Sequence, residues 1–134
     1  MNTSTNPQTP TNEHLLLIRG THWAAGMSPT ELQRVMTDFY AWADGLKNVL
    51  RGAQPLVEEG RLVTGAKGAT ITDGAFAESK EAIAGYFLLS VATTDEAVKL
   101  AQACPILAHG AQIEVRPIAD MCRPMAEVKA LGNS

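Results

Sequence analysis

Two runs of consecutive apolar residues, Leu15–Ile18 and Tyr86–Leu89, constrain this chain more than any other feature. Each is bounded and short, which favours a strand over a helix. Side chains alternate along a strand. One face therefore carries Leu15, Leu17, Tyr86 and Leu88, and the other carries Leu16, Ile18, Phe87 and Leu89. A sheet built on these strands is apolar on both sides. Helices cover one side, and a monomer would leave the other as an exposed apolar patch. The expected remedy is a homodimer, with a second sheet packed face to face about 10 Å away.

Helix starts follow both runs. Ser28-Pro29-Thr30-Glu31 and Thr93-Thr94-Asp95-Glu96 each place a hydroxyl three residues before a Glu, the pattern of a capping box. Pro29 suits the first helical position because its missing N–H would have no partner there. Apolar residues at Leu32, Val35, Met36, Phe39, Ala43 and Leu46 then predict one long helix, stopping near Asn48. The second helix is expected to end before Pro105. Further strands are predicted over Val49–Gln54 and Ala111–Pro117, with a minor hairpin of Arg61–Thr64 and Ala69–Thr72 around Gly65-Ala66-Lys67-Gly68. The order is that of a ferredoxin-like α+β domain, βαββαβ with an inserted hairpin. The domain is expected to span residues 13–120. Residues 1–12, rich in Thr, Asn and Pro, read as a disordered tail. Residues 121–134 form a C-terminal tail with room for a short helix.

Composition removes several function classes. The chain has 134 residues and a net charge of −3, and its 11 Lys and Arg are scattered, so no nucleic-acid partner is expected. No run approaches the roughly 20 apolar residues of a membrane helix. The start lacks the basic and apolar regions of a secretory signal, and two cysteines without metal spacing suit a reducing compartment. The expected location is the cytoplasm. Neither a metal site, a phosphate loop nor a Ser-His-Asp order is legible, and no cofactor is expected. Cys104 has no basic neighbour in sequence and reads as an inert buried thiol. His22 and Trp23 fall in a loop, and His109 lies between Pro105 and the last strand.

Asp73-Gly74-Ala75-Phe76-Ala77-Glu78-Ser79-Lys80-Glu81 is the most distinctive stretch. Asp73 can accept backbone N–H bonds across a turn that Gly74 makes flexible. Phe76 can anchor the loop, which would present Glu78 and Lys80 to a polar or anionic ligand. The alternative is turn chemistry beside a solvated ion-pair patch. Glu114 and Arg116 share one strand face, and Arg19 ends the first strand. These three either meet a ligand or form a structural ion pair on an edge strand. No residue is assigned a catalytic role.

That nine-residue stretch resembles the signature loop of the YCII-related, DGPF-type proteins, with Ala75 in place of the usual Pro. Gly85-Tyr86-Phe87, Cys104-Pro105 and Glu114-Val115-Arg116-Pro117 extend the resemblance over about residues 14–118. The resemblance implies a dimeric α+β barrel. It also implies a small-molecule-binding protein or enzyme that uses the cavity between the two sheets. A link to extracytoplasmic-function sigma factors is implied as well, so the alternative is a regulatory or accessory protein acting through such a partner. Relatives in the wider superfamily are similar to lyases and dehalogenating enzymes. Some of those use a His–Asp pair, which the three histidines here do not match.

Overall fold

The computed structural model describes residues 6–20, 22–73 and 82–132. Its elements run β1 (Pro10–Arg19), α1 (Pro29–Asp44), β2 (Leu50–Pro55), β3 (Arg61–Thr64), β4 (Thr70–Asp73), β5 (Ile83–Leu89), α2 (Thr94–Gln102), β6 (Gln112–Ala119) and α3 (Arg123–Gly132). Four strands form an antiparallel sheet in the order β2-β5-β1-β6, and β3 and β4 pair apart from it. This is the expected ferredoxin-like α+β topology with its inserted hairpin. A single chain makes an open sheet, not a barrel.

Register fixes which face is the core. Leu16 sits between Phe87 and Val115, and Ile18 between Gly85 and Ile113. Leu16, Ile18, Phe87 and Leu89 are buried with Val35 of α1 and with Ala97 and Ala101 of α2. Leu15, Leu17, Tyr86 and Leu88 lie on the opposite face and are half-buried. The two rows thus divide as their alternation requires.

Both helix starts form as read. Ser28 Oγ accepts the Glu31 N–H at 3.2 Å, and Thr93 Oγ1 accepts the Glu96 N–H at 3.1 Å. α1 stops at Asp44, earlier than its apolar stripe suggests. The reason is Leu46, whose N–H bonds the Ala43 carbonyl at 3.0 Å in a tightened last turn. That turn swings Leu46 into the core, where it is buried. The Trp42 Nε1–H donates to the Leu100 carbonyl at 2.9 Å and ties α1 to α2. Pro105, read as a stop, also opens a 3-10 turn over Pro105–His109, and that turn delivers Ile106 to the core.

The expected disordered tail is corrected for residues 6–12; residues 1–5 lie outside the described part. β1 begins at Pro10, which pairs with Ala119. The Thr11 hydroxyl donates to the Ile118 carbonyl at 2.9 Å, and the Gln8 side-chain amide donates to the Met121 carbonyl at 2.8 Å. Thr9 exchanges two bonds with Asp120, one to its side chain and one from its N–H. Low hydrophobicity misled the expectation because hydrogen bonds, not apolar burial, hold this segment. The C-terminal tail forms α3, with Ala126 buried and Arg123 paired to Glu127 one turn on.

Candidate functional site

The sheet face opposite α1 and α2 carries three of the charged residues that the sequence singled out, Arg19, Glu114 and Arg116. Along β6, Glu114 pairs across β1 with Leu17, and Arg116 pairs with Leu15. Both charges therefore stand on the same face as the half-buried Leu15, Leu17, Tyr86 and Leu88. Arg19 reaches Glu114 from the end of β1: its Nε–H donates to Glu114 Oε1 at 2.7 Å, and its second guanidinium nitrogen engages the same oxygen. Arg116 donates to the other carboxylate oxygen at 3.2 Å. Glu114 is thus clasped by two guanidiniums, and its acidity reflects this. The Arg19 hydrogen bond, followed by the one from Arg116, holds its carboxyl below the usual range. Arg19 and Glu114 are partly shielded, at 27% and 28% side-chain exposure, whereas Arg116 is 65% exposed. Arg116 is therefore the guanidinium best placed to meet something else.

On the other side of the sheet lies a cleft of about 420 Å³ between α1 and strands β2 and β5. It exists because small side chains meet there. Ala43 comes from α1 and Ala53 from β2, and Gly85 on β5 has no side chain at all. Glycine is needed at that position, since an added Cβ would sit 2.8 Å from the Gln54 carbonyl oxygen and 3.2 Å from Pro55 Cα. Aromatic rings flank the gap. Phe39 and Phe87 meet edge to face at 6.1 Å, and Trp42 packs behind them at 5.6 and 5.2 Å. Trp23 closes another side and leans on the exposed His109 ring at 6.2 Å. The described lining includes no Asp, Glu, Lys, Arg, His or Cys.

Sheet geometry therefore separates features that the sequence reading had placed together. Arg19, Glu114 and Arg116 do converge, but on the face away from this cleft. Asp73 ends β4 on the exposed hairpin, across from Arg61. Phe76, Glu78 and Lys80 lie outside the described residues, as does Gly74. His109 supports Trp23. Cys104 is buried, and burial pushes its thiol upward against a smaller opposing hydrogen bond from Ile106, which keeps it protonated and inert at neutral pH. Among the described residues no three His, Cys, Asp or Glu side chains gather to hold a metal, and no helix is long and apolar enough to cross a membrane.

The sequence reading missed His14, which is almost fully buried at 1% exposure. Its Nδ1 faces the Val91 carbonyl at 3.2 Å and must donate; its Nε2 lies 3.0 Å from the Thr94 hydroxyl. It shares the inward phase of Leu16 and Ile18, and that was the available signal. Both ring nitrogens are engaged in joining β1 to the start of α2, a structural use.

The YCII-related domain profile matches residues 29–122, well over half of the chain. Among curated proteins nothing matches. Among solved structures, 5-chloro-2-hydroxyhydroquinone dehydrochlorinase from Burkholderia phenoliruptrix AC1100, in complex with 2,5-dihydroxybenzoquinone, is similar. Identity is 15% and the TM-score 0.46, covering 79% of this chain and 92% of that one.

The Glu114 clasp has a pH signature. Its carboxyl is held below the ordinary glutamate value of about 4.3, so its stabilisation is complete above that value and is lost as pH falls through the lower folded-state value. Glu114→Gln is expected to unfold at lower urea concentration than the parent at pH 7. The gap should narrow as pH falls below the ordinary glutamate value and close where the parent carboxyl itself becomes protonated. A gap that stays constant with pH would show that the clasp contributes nothing through charge.

Proposed function

The chain belongs to the YCII-related domain family, and on that footing we propose that it is a homodimeric small-molecule-binding protein whose ligand sits in the cleft beneath α1. The observation that carries this reading is the cleft itself. Its 420 Å³ falls within the range of roughly 300–1,000 Å³ typical of small-molecule sites, and it is walled by side chains that packing already fixes. The described lining carries no carboxylate, imidazole, amine or thiol, and its apolar character suits binding. The loop residues Asp73, Phe76, Glu78 and Lys80 remain candidates on the family motif alone.

The uncovered face is assigned to the dimer. Leu15, Leu17, Tyr86 and Leu88 make an apolar stripe, edged on the β6 side by the Arg19–Glu114–Arg116 clasp. A second copy laid over the stripe would remove it from water and give the dimeric α+β barrel that the family resemblance implies. Arg116 would then sit at the rim of the inter-sheet space, where a small anionic or polar ligand could meet it. The free thiols Cys104 and Cys122 are consistent with a cytoplasmic location.

A second reading has one observation behind it. The β3–β4 hairpin is exposed throughout, with Leu62, Val63 and Ile71 between 52% and 60% exposed. An apolar arm of this kind suits a protein partner, such as the sigma factor that the resemblance implies, and would make the chain an accessory protein.

Light scattering at micromolar concentration is expected to give a dimer, about twice the 14.3 kDa chain mass. A folded monomer would contradict the covered-face assignment. A thermal-shift screen of small metabolites is expected to find compounds that raise the melting temperature of the parent but not of Ala43→Phe, whose ring would occupy the cleft. If no compound stabilises the parent, or if both proteins respond alike, the cleft reading fails and the hairpin reading gains.

A further inference from the structure

The composition of the cleft says what kind of molecule it takes. This chain is poor in aromatic residues, with two Trp, two Tyr and three Phe in its whole length. Trp23, two of the three phenylalanines and Tyr40 nevertheless line this one gap, while Tyr86 borders it from β5 with its ring on the opposite face of the sheet. Core packing alone would not concentrate them around an empty space, because aromatic side chains gain most when they fill space against one another.

The rings are also held from behind. Trp42 backs Phe39 and Phe87, and its own indole N–H is fixed to the Leu100 carbonyl. Phe87 is buried in the sheet, where its backbone is paired on both sides. Trp23 is braced by His109. Rings fixed before a ligand arrives lose little freedom when it binds, which favours flat partners able to match their faces and edges.

Charge is excluded by the same lining. An anion or cation entering would lose hydration and find no opposite charge among the described lining residues. Arg19, Glu114 and Arg116 are on the far face of the sheet and are engaged with one another. One neutral polar side chain does border the cleft, the hydroxyl-bearing Tyr40; the side chains of Gln54 and Tyr86 share the opposite face. One hydroxyl or carbonyl on the ligand can therefore be accommodated.

We propose that the cleft beneath α1 binds an uncharged, flat, aromatic molecule bearing at most a neutral polar group. This rests on the cleft reading given above and names its ligand class. Three probes of one ring skeleton separate the two questions by calorimetry at pH 7. They are 2-naphthol, which is neutral and aromatic; 2-naphthoate, which is charged and aromatic; and decahydro-2-naphthol, which is neutral and saturated. 2-Naphthol is expected to bind roughly tenfold or more tightly than 2-naphthoate, because the carboxylate would be stripped of water without a partner. It is expected to bind roughly threefold to tenfold more tightly than the saturated alcohol, the margin that ring–ring contacts supply. Ala43→Phe should abolish 2-naphthol binding. Ala53→Met, a smaller intrusion from the opposite wall, should weaken it while the circular dichroism melt confirms a folded protein. If 2-naphthoate or the saturated alcohol binds as tightly as 2-naphthol, and Ala43→Phe abolishes that binding, the ligand class is wrong while the cleft reading stands. If 2-naphthol binding survives in both variants, the cleft is not the site and both statements fall. If none of the three probes binds the parent, the proposed ligand class is overturned.

Discussion

The antiparallel pairing of β1 with β5 is the contact on which the rest of the structure depends. It sets two wholly apolar runs side by side in the middle of the sheet, so neither face is free to meet water. Helices α1 and α2 satisfy one face by burying Leu16, Ile18, Phe87 and Leu89 against small residues such as Ala97 and Ala101. The other face keeps Leu15, Leu17, Tyr86 and Leu88 only half-covered. The cleft and the proposed dimer are two consequences of this one pairing, on opposite sides of a sheet one residue thick.

The two sides differ in chemistry because they differ in what the flanking strands bring. On the uncovered side, β6 contributes Glu114 and Arg116, and the end of β1 contributes Arg19, so the apolar stripe has a charged edge. Such an edge gives little stability where it is exposed, but it can set which way a second copy lies. On the helix side, α1 contributes Ala43 and β2 contributes Ala53, whose small side chains leave the cleft open, while Gly85 lets β2 approach β5 closely.

How much of this was legible in the sequence follows from the range of each signal. Local signals read well: Ser28 and Thr93 cap their helices, and the βαββαβ order follows from where the apolar runs fall. The shared face of Glu114 and Arg116 follows from period two alone, and Arg19 joins them because it ends the neighbouring strand. Signals that depend on distant partners read poorly. Residues 6–12 looked like a tail because their contacts are polar and reach more than a hundred residues away. The cleft was illegible because Ala43, Ala53 and Gly85 come from three elements, and nothing in a linear reading marks three small residues as neighbours. The reading consequently placed a cavity on the charged face and did not anticipate the one beneath α1. Ile106 was missed for a related reason: Pro105 announces the end of a helix and equally permits a 3-10 turn.

Methyl and indole NMR of the intact protein, titrated with 2-naphthol, tests the division of labour between the two faces most directly. The account predicts that the Trp23 indole and the methyls of Ile18, Ala43 and Ala53 shift with added ligand, while those of Leu15, Leu17 and Leu88 stay in place. Shifts confined to the leucine stripe, with the Ala43 and Ala53 methyls unmoved, would contradict it.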